Sequence, residues 1–351
     1  MSNPVYRKNA AGDWIRVRNC RHLIQPGDNL VVVAPRLDIS YFSVFTLCIF
    51  NDKIYGGTYP GGLLEWNGTV AWVEVAPPLG NIIYKLLVFN NKLYAATGLY
   101  GRLYEWNGTD DWILVAPGYV PFPDSSSIQA LVIFNDKLYG GSGGDTGGRL
   151  YEWNGTDAWV LVAPIFNGQE DIYSLCVFND KIYGGTGPAS GRLFEWNGVD
   201  SWVQVAPMLN GQSQIASLCV FNGKIYGGTR WGGRLLEWNG VNAWVQVAPT
   251  LNGQGIINCL QEINSELFAS TGIMAGGNSY VFKWNGIDAW TEVANTVTYP
   301  QSDLLSLIEY HSNIYAGSSN RCLLFELIIG GWKRTRGVYH KKDGVWKRVI
   351  L

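Results

Sequence analysis

Short apolar runs rich in Val, Ile, Leu, Tyr, Phe and Trp alternate along this chain with Asn-Asp, Gly-Gly and Asn-Gly pairs. Runs bounded by such pairs predict β-strands joined by hairpins, and no stretch of helical period intervenes. The pattern also repeats. The segment Leu193 to Pro207 (LFEWNGVDSWVQVAP) has near-copies ending at Pro77, Pro117, Pro164 and Pro249 and a worn one ending at Asn295. A second block, Phe178 to Thr186 (FNDKIYGGT), recurs with its Phe at Phe50, Phe89, Phe134 and Phe221, and degraded at Ile263 and Tyr310. That makes seven units, spaced 39 to 47 residues apart. A period in this range marks a solenoid or a propeller. Four strands per unit and this density of turns exclude a helical solenoid and predict an all-β, seven-bladed β-propeller.

Within the unit, the pair Gly184 and Gly185, the aromatics up to Trp196, the late Trp202 and the closing Ala206 and Pro207 resemble a kelch-type repeat. The resemblance covers roughly residues 30 to 327 and implies a propeller. It leaves function open, because such propellers host enzymes, adaptors and lectins alike.

The fragment Asp28 to Pro35 aligns with Asp200 to Pro207 but lacks the other three strands of a unit. The last unit has the opposite defect: strands are expected near 305 to 310, 313 to 318 and 322 to 327, with no Val-Ala-Pro ending after Trp332. An N-terminal strand completing the last blade would close the ring and cover its open edge. In a competing register, Trp332 belongs to the blade's own fourth strand.

Composition adds boundaries. A chain of 351 residues with 47% apolar content can bury a large core. No signal-peptide pattern and no long apolar window is present, which disfavours secretion and membrane insertion. Cys48, Cys176 and Cys219 stand two residues before the repeat Phe, where other units carry Leu87, Val132 and Ile308. Exchange with aliphatics marks them as reduced core thiols rather than a disulfide set. Cys20, Cys259 and Cys322 have no paired spacing, and no Cys-x-x-Cys suggests zinc. No metal or cofactor is expected.

The net charge of −2 conceals an asymmetry. Residues 1–24 and 328–351 together hold twelve basic residues against two acidic ones, a sum of +10, while the propeller, 25–327, stands at −12. The two ends also resemble each other: Val5 to Val17 and Val338 to Val349 each read as two alternating strands around a Gly-containing turn. The C-terminal Tyr-x-Lys-x-x-Gly-x-Trp-Lys pattern, which the N-terminal segment follows with one residue of slack, is with Trp332 and Lys333 similar to short segments of bacteriophage tail and other virion structural proteins. The resemblance covers about fifty residues. It implies assembly contacts through Trp14, Arg16, Trp332, Lys333, Trp346, Lys347 and Arg348, with other virion proteins as partners and the virion as location. The plainer reading makes the two ends a packed-together cap for the ring. Nucleic acid has only the charge in its favour.

Chemistry finds little support. The histidines His22, His311 and His340 are scattered. The Gly-x-Ser-x-Gly match around Ser142 falls in a strand-to-strand connection, where Thr58, Thr97, Thr186, Thr229, Thr271 and Ser318 are its equivalents. Glu65, Glu105, Glu152, Glu195, Glu237 and Glu326 recur in almost every unit, so they read as scaffold rather than as the single acid pair of a glycosidase. Asn67, Asn107 and Asn154 match glycosylation sequons but read as tight hairpin turns. No catalytic residue is expected.

Sites break a repeat, and two connections vary: strand two to three, and blade to blade. Both lie on one face of the disc, opposite uniform Asn-Asp and Asn-Gly turns. Trp231 is the one tryptophan outside the repeat and terminal patterns. With Arg230, Tyr59, Tyr100, Tyr119, Tyr299 and Arg321 it forms the expected ligand face, suited to sugar rings or a protein surface. Tyr41, Phe122, Phe166, Asp124 and Asp145 lie in the same set of loops. The expected function is a non-enzymatic phage virion protein, anchored by its terminal hairpins and presenting this face to a host-surface glycan or a neighbouring subunit. The alternative is a soluble lectin or protein-interaction propeller of cellular origin.

Overall fold

The computed structural model describes residues 5–8, 14–17, 30–35, 40–118, 126–144, 147–164, 171–188, 191–209, 211, 213–251, 254–273, 277–296, 302–327, 338–342 and 345–349. The chain is a seven-bladed β-propeller of four-stranded antiparallel blades. Blade 4 shows the unit: Asp171–Phe178, Lys181–Gly187, Leu193–Trp196 and Trp202–Ala206, paired in that order from the centre outward. Blades 1, 2, 3, 5 and 6 open with Ser43–Phe50, Ile83–Phe89, Ser127–Phe134, Gln214–Phe221 and Gln254–Ile263. These first strands touch one another around the ring, and that of blade 7 touches that of blade 1.

Blade 7 is built from both ends of the propeller. Leu304–Tyr310, Asn313–Ser318 and Leu324–Leu327 are completed by Leu30–Ala34, with Leu30 opposite Leu327 and Ala34 opposite Leu324. The N-terminal closure is therefore the one adopted, and Trp332 lies outside the described residues. The third strand starts two residues later than expected because Cys322, at φ +50, still belongs to the turn.

Seven clusters of buried side chains fill the seven interfaces between blades. At the closure, Ala34, Tyr315, Cys322 and Leu324 of blade 7 pack on Tyr41, Val44, Leu47, Trp66 and Trp72 of blade 1. In the sequence Gly-Gly reads as a turn, yet the pair lies inside the second strand. A Cβ on Gly184 would lie 3.2 Å from the ring of Trp202, and one on Gly185 would lie 2.7 Å from Ile215 of the next blade. Gly227 and Gly228 meet Trp244 and Ile257 in the same way. The first glycine admits the tryptophan of its own blade and the second admits the neighbouring blade.

The turns divide into two kinds. Asn-Asp hairpins hold both central residues at positive φ, +46° and +55° at Asn179 and Asp180, as a two-residue primed turn requires. The Asn-Gly connections are longer than the expected tight turn. Asn197 donates its N–H to Ser201 O at 2.9 Å, and its Oδ1 accepts the N–H groups of Val199, Asp200 and Ser201 at 2.9 to 3.1 Å. Asn67, Asn107 and Asn154, the three sequon asparagines, do the same.

Each chain end contains a hairpin: Val5–Lys8 with Trp14–Val17, and Val338–Lys342 with Val345–Val349. Trp14, Arg16, Trp346, Lys347 and Arg348 fall on these strands, and Lys333 lies outside the described residues.

Candidate recognition face

Strand direction gives the disc two unlike faces. The first and third strands run toward the Asn-Asp and Asn-Gly turns, which makes that face uniform. The second and fourth run toward the variable connections.

The uniform face carries a repeated lattice. Lys53, Lys92, Lys137, Lys181 and Lys224 donate to Glu65, Glu105, Glu152, Glu195 and Glu237 at 2.5 to 2.8 Å. The other oxygen of each carboxylate accepts a tyrosine hydroxyl, from Tyr55, Tyr94, Tyr139, Tyr183 and Tyr226, at 2.7 to 3.0 Å. Burial, and then the glutamate, pushes these phenols well above their usual range. Blade 6 keeps the pair with its charges exchanged, Glu266 to Lys283 at 3.0 Å. The recurring glutamates are therefore strand ties, as their repetition implies. A cleft of about 620 Å³ opens on this face between blades 2 and 3, lined by Lys92, Glu105, Lys137, Glu152, Trp153 and Asn154. Its two glutamates, Glu105 and Glu152, are already committed to the lattice, so we place recognition elsewhere despite the volume.

On the variable face the expected residues occur as separate pairs. Trp231 is 52% exposed with its ring 5.7 Å from the Arg230 guanidinium. The Arg102 guanidinium lies 4.7 Å over the ring of Tyr100. Tyr59 ends the second strand of blade 1 and meets the exposed Phe42 at 5.7 Å between ring centroids. Tyr100 and Trp231 adopt φ of +70° and +61°. Such a conformation is rare for large side chains and concentrates where function holds it. Arg321 is exposed on blade 7. Tyr119, Tyr299, Phe122, Phe166, Asp124 and Asp145 lie outside the described residues. Tyr41 corrects the expectation: it is 1% exposed, donates to Glu74, and fills the space over Gly62.

The structure adds a cluster at the mouth of the central channel on this same face. Asp171, which is buried, accepts the Gly144 N–H at 2.6 Å and the Gln129 Nε2 at 3.3 Å. Burial, and then Asp171, raises the Tyr173 phenol, while Arg230 pulls it the other way. Tyr84 is raised by burial and by the same carboxylate. Four blades thus contribute to one polar recess. The sequence held a signal for it: Phe45, Tyr84, Gln129, Tyr173, Ala216, Asn258 and Leu305 occupy one position of the first strand, and only Tyr occurs there twice.

Other candidates resolve into framework. Ser142 is buried, donates to Gly147 O at 3.0 Å and accepts the Arg149 N–H at 3.0 Å, which ties down a loop rather than arming a nucleophile. Cys48, Cys176, Cys219, Cys259 and Cys322 are free thiols; Cys176 and Cys322 are buried, and the other three are half-buried at the inner strands. Cys20 lies outside the described residues. Burial pushes Cys48 up to about 11 and Cys219 up to about 12. Among the described residues no group of His, Cys, Asp and Glu is placed to hold a metal ion. Among them, too, no helix is long and apolar enough to cross a membrane.

No family model matches the sequence, and no curated protein matches it. Solved propellers match the fold. YCF48 from Cyanidioschyzon merolae superposes with TM-score 0.61 at 13% identity, covering 85% of this chain and 98% of that one. YCF48 bound to D1 peptide gives 0.62 at 12%, covering 89% and 99%. The WD40 β-propeller domain of Doa1 gives 0.60 at 13%, covering 87% and 98%. At these identities the likeness establishes the propeller alone.

Proposed function

We propose that this protein is a non-enzymatic structural component of a phage virion, in the tail, the baseplate or a fibre-associated position. Its basic terminal hairpins anchor it to another virion protein, and its variable face meets a host-surface glycan or a neighbouring subunit. One observation carries the reading. Leu327 ends a third strand and Leu30 begins a fourth, so both basic segments leave the propeller from the uniform face, opposite the variable one. An anchor there points the variable face outward. The kelch-like repeat and the Trp-Lys hairpin segments agree with a display scaffold carrying an assembly tag. The deciding experiment is deletion of residues 328–351. We expect the propeller to stay folded by circular dichroism while incorporation into particles is lost; unchanged incorporation would remove the anchor from the account.

A second reading is a free interaction propeller or lectin. The structural neighbour bound to a peptide favours it, since a propeller of this size can hold a partner chain. Binding on a glycan array or to a cellular protein, without any virion partner, would support it.

A further inference from the structure

Six of the seven described lysines of the propeller stand apart from its arginines; the seventh, Lys85, is exposed on the first strand of blade 2. Lys53, Lys92, Lys137, Lys181, Lys224 and Lys283 stand on the uniform face, and each is paired with a glutamate. The same face exposes the carboxylates of Asp52, Asp136, Asp157, Asp180, Asp200 and Asp288. The described arginines of the propeller stand instead on the variable face. Arg102, Arg149 and Arg192 occupy the same place, one residue before the third strand, in blades 2, 3 and 4, and Arg230 follows on blade 5. None of these four has a carboxylate within 4.0 Å among the described residues. Arg102, Arg149 and Arg192 are half-buried, so their stems are held; the Arg102 fork gives one donor to the Tyr104 hydroxyl at 3.5 Å, and no carboxylate competes with a ligand for the rest.

Resting on the reading that the variable face binds a glycan, we infer that its ligand is an acidic polysaccharide whose carboxylates or sulfates are held by the arc Arg102, Arg149, Arg192 and Arg230. An arginine fork matches a planar carboxylate with two parallel hydrogen bonds, which an ammonium does not. Tyr100 and Trp231, beside Arg102 and Arg230, offer flat apolar rings for the sugar. The exposed aspartates of the uniform face repel a polyanion, so the polymer meets one face only. Asp171 and Asp303 share the variable side, but Asp171 is buried and held by Gly144 and Gln129, and Asp303 is half-buried on blade 7, away from the arc, with its backbone N–H donating to Ser319 Oγ.

The test uses the full chain and two polymers of one backbone, dextran sulfate and unmodified dextran, with alginate as a carboxylated probe. Affinities are measured at two salt concentrations. The parent should bind both acidic polymers, more weakly at high salt, and bind dextran far less. Replacing Arg102, Arg149 and Arg192 together by Gln should weaken acidic binding about tenfold, whereas Lys53→Gln with Lys92→Gln should not. If the arginine variant binds like the parent, the basic termini hold the polymer and the inference fails. Dextran binding that survives the arginine changes and is lost in Trp231→Ala would overturn the acidic ligand while keeping the glycan reading. Absence of binding to all three polymers would overturn the inference, and particles that still adsorb through this face would keep the receptor reading. Tighter binding of a single-stranded DNA of equal charge would also overturn the inference.

Discussion

At the residue scale, the repeat separates positions that hold the fold from positions free to vary. Gly228 belongs to the first kind. A Cβ there would lie 2.6 Å from Ile257 and 2.7 Å from Ser217 Oγ. Gly228→Val should therefore overpack the blade 5 to blade 6 interface and cost about 1–3 kcal/mol, read from urea unfolding. The inner-strand thiols give a pH prediction. Cys48 and Cys219 ionise near 9.0 when unfolded but only near 11 and 12 in the fold. As pH rises the unfolded chain sheds these protons first, so the stability present below pH 9 drains away between 9 and about 12. The thermal midpoint should fall across that window, and the thiols should resist alkylation below it until the chain unfolds. The sequence marked the glutamates as scaffold by their repetition. It misplaced Tyr41, because a loop tyrosine aimed at Glu74 reads the same as one aimed at solvent. It missed Tyr173 and Asp171, which come together with Gln129 and Arg230 only once the ring forms.

At the element scale, the closing strand is the test of the topology. Leu30 is 5% exposed and packs in the cluster that joins blades 6 and 7, almost 300 residues away along the chain. Leu30→Ala should cost about 2–5 kcal/mol, the range for emptying a buried leucine site, although the residue precedes every complete blade. In the register that uses Trp332 instead, the same change would cost almost nothing. Strand number and order were legible because four apolar runs recur in each unit. The glycine pair misled because Gly serves equally in a turn and beneath a close-packed ring. The Asn-Gly connections misled because the asparagine side chain, rather than a primed turn, closes the loop.

At the scale of the whole molecule, polarity matters more than net charge. The acidic lattice face and the arginine face are products of one repeat read at its two ends, and both basic chain ends leave from the acidic side. The fold and the two faces were legible from periodicity and strand direction. The arginine arc was not, since Arg102, Arg149 and Arg192 look like ordinary repeat positions until the uniform-face lysines are seen to be paired with carboxylates and these are not. The most direct test of the outward-facing, terminally anchored propeller is cross-linking mass spectrometry on intact particles from the source host. The account predicts cross-links from Lys341, Lys342 or Lys347 to another virion protein, joined by links from uniform-face lysines such as Lys137. Absence of the chain from intact particles would contradict it, as would partner contacts confined to the loops around Tyr59, Tyr100 and Trp231.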